Sequence, residues 1–295
     1  MISKEHIGSL YAISSGFLYG FVGYFGVSVV HASLSVTNML FWRFFIASAI
    51  MTVIVIARIK HVHVSRKEAC ATFINGALLY GLSTMLYFFA CPYIGTGLAM
   101  VIFFTYPAMV MLLNHFLYGQ KIPPIYYAAI TIIIIGMALF VDPHEITFDL
   151  LGITLSVTSA FLYAGYMVAS KKVATFSPDL STLIICLGCM TTSLILSLTS
   201  HTFSVPTTWS VWFDLFGIGV VATTVPILLL LYSLNYISSE KASILSVLEP
   251  VFVLIFGVTL LGEPMKLQYL FGAIIVLSGA LLTLFNQQND ISSPS

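Results

Sequence analysis

Charge is what this sequence lacks. Of 295 residues only 11 are Lys or Arg and 11 are Asp or Glu, 7% in all, against about 25% in an ordinary soluble domain. So few charges cannot cover a water-exposed surface, so lipid must solvate most of this one. The formal net charge is zero and no basic or acidic block occurs, which argues against a nucleic-acid partner. No polar stretch is long enough for a second, soluble domain; the longest are short connectors and the tail 286–295. Cysteine is scarce as well. Cys70, Cys91, Cys186 and Cys189 sit in or at the ends of apolar segments. Cys186 and Cys189 form a C-x-x-C, but without nearby histidines and with apolar sequence on both sides they read as small packing residues. Catalytic signatures are missing: there is no H-E-x-x-H, no G-x-S-x-G, and no membrane aspartate pair. Asp142, Asp149, Asp179 and Asp214 all fall at the ends of apolar runs, so no carboxylate cluster for Mg²⁺ forms. Neither an enzyme, a cofactor nor a bound metal is expected.

What the sequence has is apolar length. Segments 7–30, 36–58, 69–91, 96–118, 123–141, 150–170, 179–200, 211–235, 239–261 and 266–285 follow one another with short breaks. Each has about the 17–25 residues that cross a hydrocarbon core. Pro123-Pro124, Asp142-Pro143, Ser177-Pro178 and Pro206 punctuate the breaks. Lys4 ahead of the first run resembles a signal peptide, yet that run is too long for one and lacks a cleavage site, so it reads as the first span. A β-barrel would need alternating ten-residue strands, and these runs do not alternate. The expected class is an all-α membrane protein of ten transmembrane helices.

Ten spans put both termini on one side. That side then holds Lys4, Arg58, Lys60, Arg66, Lys67, Lys121, Lys171, Lys172 and Lys241, while the other holds only Lys266. The split follows the positive-inside rule and places both termini in the cytoplasm of a multi-pass inner-membrane protein.

The chain also repeats itself. Shifted by 143 residues, Tyr93, Ala99, Pro107, Leu117, Gly119, Gly136 and Leu139 fall on Tyr236, Ala242, Pro250, Leu260, Gly262, Gly279 and Leu282. Shifted by 144, Gly8, Ser15 and Phe17-Leu18-Tyr19 fall on Gly152, Ser159 and Phe161-Leu162-Tyr163. Each repeat holds five spans, an odd number, so the second enters the membrane inverted. The expected units are residues 1–142 and 149–287, with 288–295 as a cytoplasmic tail. Inverted repeats let two halves rock about one central site, which is a carrier architecture.

The run from Ala242 through Glu249-Pro250 and Gly257 to Gly262-Glu263-Pro264 resembles the ninth-helix signature of EamA-like carriers in the drug/metabolite transporter superfamily. Tyr106-Pro107 through Gly119-Gln120 is a degraded copy, and Arg43-Phe44-Phe45 resembles the family's second-helix pattern. Gln120 departs from the repeat, standing where the second half has Glu263. The resemblance covers nearly the whole chain. It implies a ten-helix bundle whose central cavity is lined mainly by helices 1, 3, 4, 6, 8 and 9. It leaves the substrate open among amino acids, S-adenosylmethionine, vitamins, quaternary ammonium drugs and nucleotide sugars.

Two ionisable residues lie inside spans, Arg43 in the second and Glu249 near the middle of the ninth. A charge there costs about 2.5–3.5 kcal/mol on insertion scales, so each needs a partner or a watery cavity. Glu249 is a candidate to bind a substrate cation or a coupling proton. The competing reading has it bonding backbone loosened by Pro250, or pairing with Arg43 as a structural lock. Pro107 and Pro250, at matched places, are candidate hinges, each removing a ladder hydrogen bond. Helices 1 and 6 carry Ser15-Gly16-x-x-Tyr19-Gly20 and Ser159-Ala160-x-x-Tyr163-Ala164, whose small residues permit close helix contact. Tyr19 and Tyr163, with Tyr80, Tyr87, Tyr106 and Tyr166, are the aromatic candidates to touch substrate. Tyr232 and Trp42 belong to the same aromatic stock. His61 and His63 read as a solvated loop, His115 as a satisfied interhelical residue, and Lys171-Lys172 as an anchor at the anionic inner leaflet.

These features point to a secondary carrier for an amino acid or related amine-bearing metabolite, working by alternating access. A proton is the candidate coupling ion, and membrane lipid is the other partner. S-adenosylmethionine, a nucleoside or a quaternary amine is the competing cargo. A passive channel is disfavoured because no filter-like run or ring of charge is present.

Overall fold

The structure is a computed structural model, and it describes residues 3–25, 34–58, 65–142, 148–173 and 177–285. The far end of the first span, Lys60, His61, His63, Pro143 and the tail 288–295 lie outside the described residues. Among the described residues every regular element is helical. In chain order the helices are α1 (Lys4–Tyr19), α2 (Val36–Arg58), α3 (Arg66–Ile94), α4 (Thr96–Tyr118) and α5 (Pro124–Ala138). The second half adds α6 (Leu150–Val173), α7 (Pro178–Thr199), α8 (Trp209–Leu234), α9 (Ser239–Leu260) and α10 (Leu267–Phe285). After a turn at Gly20 the chain is helical again over 21–25.

Eight of these, α2, α3, α4 and α6 to α10, are long and apolar enough to cross a membrane. α5 is a shorter apolar helix, because a turn at 139–141 ends it before the expected boundary. Side chains such as Ile56, Phe116 and Phe148, more than 70% exposed, form an outer surface suited to lipid. The chain is a multi-pass membrane protein.

The packing repeats with the sequence. α2 lies along α7 and α5 along α10, pairs that the repeat maps onto themselves. α3 packs on α6 as α8 packs on α1. Even single hydrogen bonds recur. Ser15 of α1 donates to the Pro226 carbonyl of α8 at 2.8 Å, and its counterpart Ser159 of α6 donates to the Ser83 carbonyl of α3 at 2.7 Å. Positions 83 and 226 differ by 143, the repeat shift. Lipid gives helices no hydrophobic reason to associate, so such bonds, each about 0.6 kcal/mol, and close packing hold the bundle. At the matched ends of α4 and α9, Gly119 and Gly262 stand at φ +62° and +70°, a left-handed cap that residues with a Cβ resist.

Backbone irregularities recur too. α3 widens into a π-helical stretch at Asn75–Gly81 and α8 at Val220–Thr224. In α8, Thr223 and Thr224 hydroxyls donate to the carbonyls of Ile218 and Gly219, five residues back, which holds the wide turn. α4 and α9 are each two helices: Thr96–Phe103 then Tyr106–Tyr118, and Ser239–Ser246 then Glu249–Leu260. The breaks at 104–105 and 247–248 are again 143 apart. This corrects the expected proline role. Pro107 and Pro250 occupy the second position of the restarted helices, where a missing N–H removes no ladder bond.

The two ends of the bundle are chemically distinct. One end gathers the start of α1 with the ends of α2, α4, α6 and α8 and the starts of α7 and α9. There Glu5 meets Lys241, Arg58 meets Asp179, and Asn114 meets Glu240. At the other end the start of α2 is tied to the 202–204 segment by Thr37, Asn38 and Trp42. There too Lys266 of the α9–α10 connection donates to Asp142 at 2.6 Å, which raises its pKa above the usual lysine value.

Two further expectations are corrected. His115 is exposed and bonds the Gln120 carbonyl through Nδ1, and among the described residues it joins no other helix. Lys171 does not extend freely to lipid headgroups: its ammonium donates to the carbonyls of Leu234 and Ile237 where α8 turns into α9.

Candidate functional site

A cavity of about 470 Å³ opens beside the two helix breaks. Its walls come from the end of α1 at Tyr19 and the residues Val22 and Gly23 that follow it, the first turns of α2, the later half of α3 and the first half of α4. Tyr163 of α6, Ile218 of α8 and the start of the restarted α9 complete it. The resemblance implied helices 1, 3, 4, 6, 8 and 9; α2 joins them through Met39 and Arg43. Tyr80, Tyr163, Ile218 and Glu249 stand near the mid-length of their helices, and the other segments lie toward the end of the bundle remote from Lys4 and Lys241.

Of the residues singled out in the sequence, Tyr19, Arg43, Tyr80, Tyr87, Tyr163, Glu249 and Pro250 line the cavity. Tyr106, Tyr166 and Pro107 stand behind its wall. Tyr106 packs edge-on against Tyr163 with ring centroids 4.6 Å apart, and its hydroxyl donates to the Ser243 carbonyl of α9 at 3.3 Å. Tyr166 stacks on Tyr80 at 4.7 Å. The Tyr19 and Tyr80 hydroxyls are 3.0 Å apart, joining α1 to the π-helical stretch of α3. Phe103, which touches Tyr87, Tyr106 and Tyr163, also lines the cavity and was not singled out. Nothing in the sequence distinguishes it from the other 22 phenylalanines.

Arg43 is only 3% exposed. Its Nε donates to the Thr223 hydroxyl and a terminal nitrogen to the Ala222 carbonyl at 3.1 Å, both in the π-helical stretch of α8. The guanidinium also lies 5.5 Å from the centre of the Phe44 ring. Its five donors are not all used by these partners, so it can hold α8 and still present N–H groups to the cavity. Glu249 begins the restarted half of α9, where the helix dipole favours an anion. Among the described residues its carboxylate makes no hydrogen bond or ion pair, with Arg43 or any other group. The expected Arg43–Glu249 lock is therefore not the geometry observed.

The wall that remains is mostly aromatic and apolar, with a carboxylate and a partly engaged guanidinium set into it. Such a cavity can hold a small molecule by ring contacts while an ammonium seeks Glu249 and a carboxylate seeks Arg43. Cys186 and Cys189 are buried and unbridged; the Cys189 thiol lies 3.1 Å from the Gly76 carbonyl, a packing contact between α7 and α3.

The fork between Arg43 and α8 yields a first prediction. Arg43→Lys keeps the charge but offers a single ammonium where a planar fork served two acceptors. One acceptor is then left unpaired, and the folded protein should lose about 1–3 kcal/mol. Thermal unfolding in detergent should register the loss; an unchanged midpoint would mean that the guanidinium does not hold α8.

Comparison with other proteins bears on the family and the fold. The EamA-like transporter family matches residues 6–142 and again residues 150–285. An uncharacterized transporter of Archaeoglobus fulgidus is 28% identical over 210 residues, 69% of this chain and 75% of its own. Others from Clostridium kluyveri and Bacillus subtilis are 21% and 25% identical, over 70% and 65% of this chain and 69% and 62% of theirs. One protein of known crystal structure superposes with a TM-score of 0.81, covering 95% of this chain and 98% of its own at 15% identity, a likeness of fold alone. With two copies of the family's repeat occupying nearly all of its length, the chain belongs to the EamA-like transporter family of the drug/metabolite transporter superfamily.

Proposed function

We propose that this transporter is a secondary carrier that moves an amino acid or a related amine-bearing metabolite across the inner membrane by alternating access. In this reading all ten helices cross the membrane, with both termini and the basic connections in the cytoplasm. Residues 1–142 and 149–287 form the two inverted halves, and 288–295 the cytoplasmic tail. Pro107 and Pro250 mark the matched breaks at which the halves bend. The observation that carries the reading is Glu249: a carboxylate without a bonded partner among the described residues, on the wall of an aromatic cavity that Arg43 also lines. An α-amino acid offers the matching pair of charges and places its side chain among Tyr87, Phe103 and Tyr163. In this reading Glu249 receives the ammonium, or a coupling proton when the site is vacant.

The test is ligand-induced stabilisation of the purified protein in detergent, across amino acids and their N-acetyl derivatives. An amine-directed site predicts a rise in the unfolding midpoint with free amino acids and none with the acetylated forms, which keep shape and carboxylate but lose the cation. Equal stabilisation by both series would reject the role given to Glu249. Stabilisation only by S-adenosylmethionine, nucleosides or quaternary amines would reassign the cargo.

A further inference from the structure

The two halves have matching sequences but are not in matching states. Ser239–Ser246, the first half of α9, is buried at all eight positions. Its repeat counterpart in α4, Thr96–Phe103, has only Ala99 buried, and Thr96, Met100 and Phe103 of that segment line the cavity. The same piece of structure is thus sealed into the bundle at the N-terminal end and open to the cavity at the opposite end.

What seals it is polar. Lys241 is 2% exposed and its ammonium lies 2.8 Å from the Glu5 carboxylate of α1, which is half-buried. Glu240, 3% exposed, accepts from the Asn114 side chain of α4, which also donates to the Ser239 hydroxyl at 2.9 Å. Lys171 of α6 closes the layer by donating to the Leu234 and Ile237 carbonyls. Shifted back by 143, Glu240 and Lys241 fall on Gly97 and Leu98, which carry no charge. The buried Glu240–Lys241 charges therefore have no charged counterpart at the matching positions of α4.

We infer that Lys241 and Glu5, supported by Glu240 and Asn114, form an ionic lock that closes the cavity at the N-terminal end, and that opening to that side requires the lock to break. The inference rests on the alternating-access reading above. In the opened state the two halves exchange conformations, so Ser243 takes the cavity-lining place that Met100 holds here. Lys241 and Glu240 then become hydrated. The matching segment at the opposite end offers Leu98, Met100 and Phe103 for closure in place of Lys241 and Glu240, so these two segments seal with different chemistry. Breaking the buried pair weakens one gate without touching the other, and the population open to the N-terminal side rises.

The experiment uses two reporters, Met100→Cys and Ser243→Cys, in the full chain with the four native cysteines replaced by alanine. An impermeant maleimide is applied from either face of sealed vesicles. Labelling of S243C from the N-terminal side should rise about tenfold in Glu5→Gln and in Lys241→Met, and labelling of M100C from the opposite side should fall. Exchanging the charges, Glu5→Lys with Lys241→Glu, should return both rates toward the parent. Glu5 is half-exposed, so E5Q folds even where K241M does not, and it decides the matter alone. Labelling of S243C in the parent at a rate that E5Q leaves unchanged would overturn the lock while leaving alternation standing. M100C reactive from both faces at once would overturn alternation, and the lock with it.

Discussion

Glu249→Gln is expected to leave the bundle folded and to lower the apparent affinity for an amine substrate roughly 10- to 150-fold. The magnitude is that of a charge-assisted hydrogen bond, about 1.5–3 kcal/mol, lost when the acceptor becomes neutral. Stability should hold because the carboxylate has no bonded partner among the described residues, so glutamine orphans nothing and removes a charge from a costly place. The repeat sharpens the contrast. Tyr106 is the counterpart of Glu249, and its hydroxyl is engaged with the Ser243 carbonyl across to α9. One half thus uses this position to join helices, and the other turns it to the cavity. Counter-flow of a labelled amino acid against increasing unlabelled substrate measures the affinity. Unchanged affinity with unchanged pH dependence would return Glu249 to a structural role.

Gly76→Ala is expected to produce the largest loss of stability of any single methyl added to the bundle's scaffold. A Cβ at Gly76 would stand 2.4 Å from the Ile185 carbonyl oxygen and 2.7 Å from the Ile185 Cα. One at Gly188 would stand 2.4 Å from the Phe73 carbonyl oxygen. Both obstacles are backbone, so no rotamer change relieves them, and α3 and α7 must separate along the π-helical stretch. Overpacking of this kind costs about 3 kcal/mol or more, and little folded protein should survive extraction into detergent. Gly165→Ala is the control: its Cβ would meet only Leu79 side-chain carbons at 3.6 Å, ordinary contact, and the helix gains by losing a glycine. Size-exclusion profiles and unfolding midpoints should separate the two variants; equal behaviour would mean the α3–α7 contact is looser than the structure places it.

Much of this was legible in the sequence because lipid imposes a simple demand. A chain that must satisfy its backbone inside a membrane declares its helices by apolar length, and the 143-residue shift declared the repeat. Arg43 and Glu249 stood out because ionisable groups in spans are rare. The irregular backbone was not legible. The π-helical stretches of α3 and α8 depend on threonine hydroxyls meeting carbonyls five residues back and on glycine contacts with another helix, and neither leaves a pattern in local sequence. Pro107 and Pro250 follow the helix breaks rather than cause them: each sits at the second position of a helix restarted after the turns at 104–105 and 247–248. Burial of charge was also hidden. Lys241 counted as one more basic residue on the cytoplasmic side, yet it is buried against Glu5, 236 positions away in the chain. The cavity wall was half legible, since tyrosines at repeated positions could be singled out while Phe103 could not.

Counter-flow in proteoliposomes tests the central claim most directly. Vesicles holding the parent protein and a high internal concentration of one unlabelled amino acid are presented with a trace of the labelled form. An alternating-access carrier with an amine-directed site predicts transient, saturable accumulation of label, absent without internal substrate and absent when the internal compound is N-acetylated. Flux that rises linearly with concentration and ignores the internal compound would contradict the account and point to a channel.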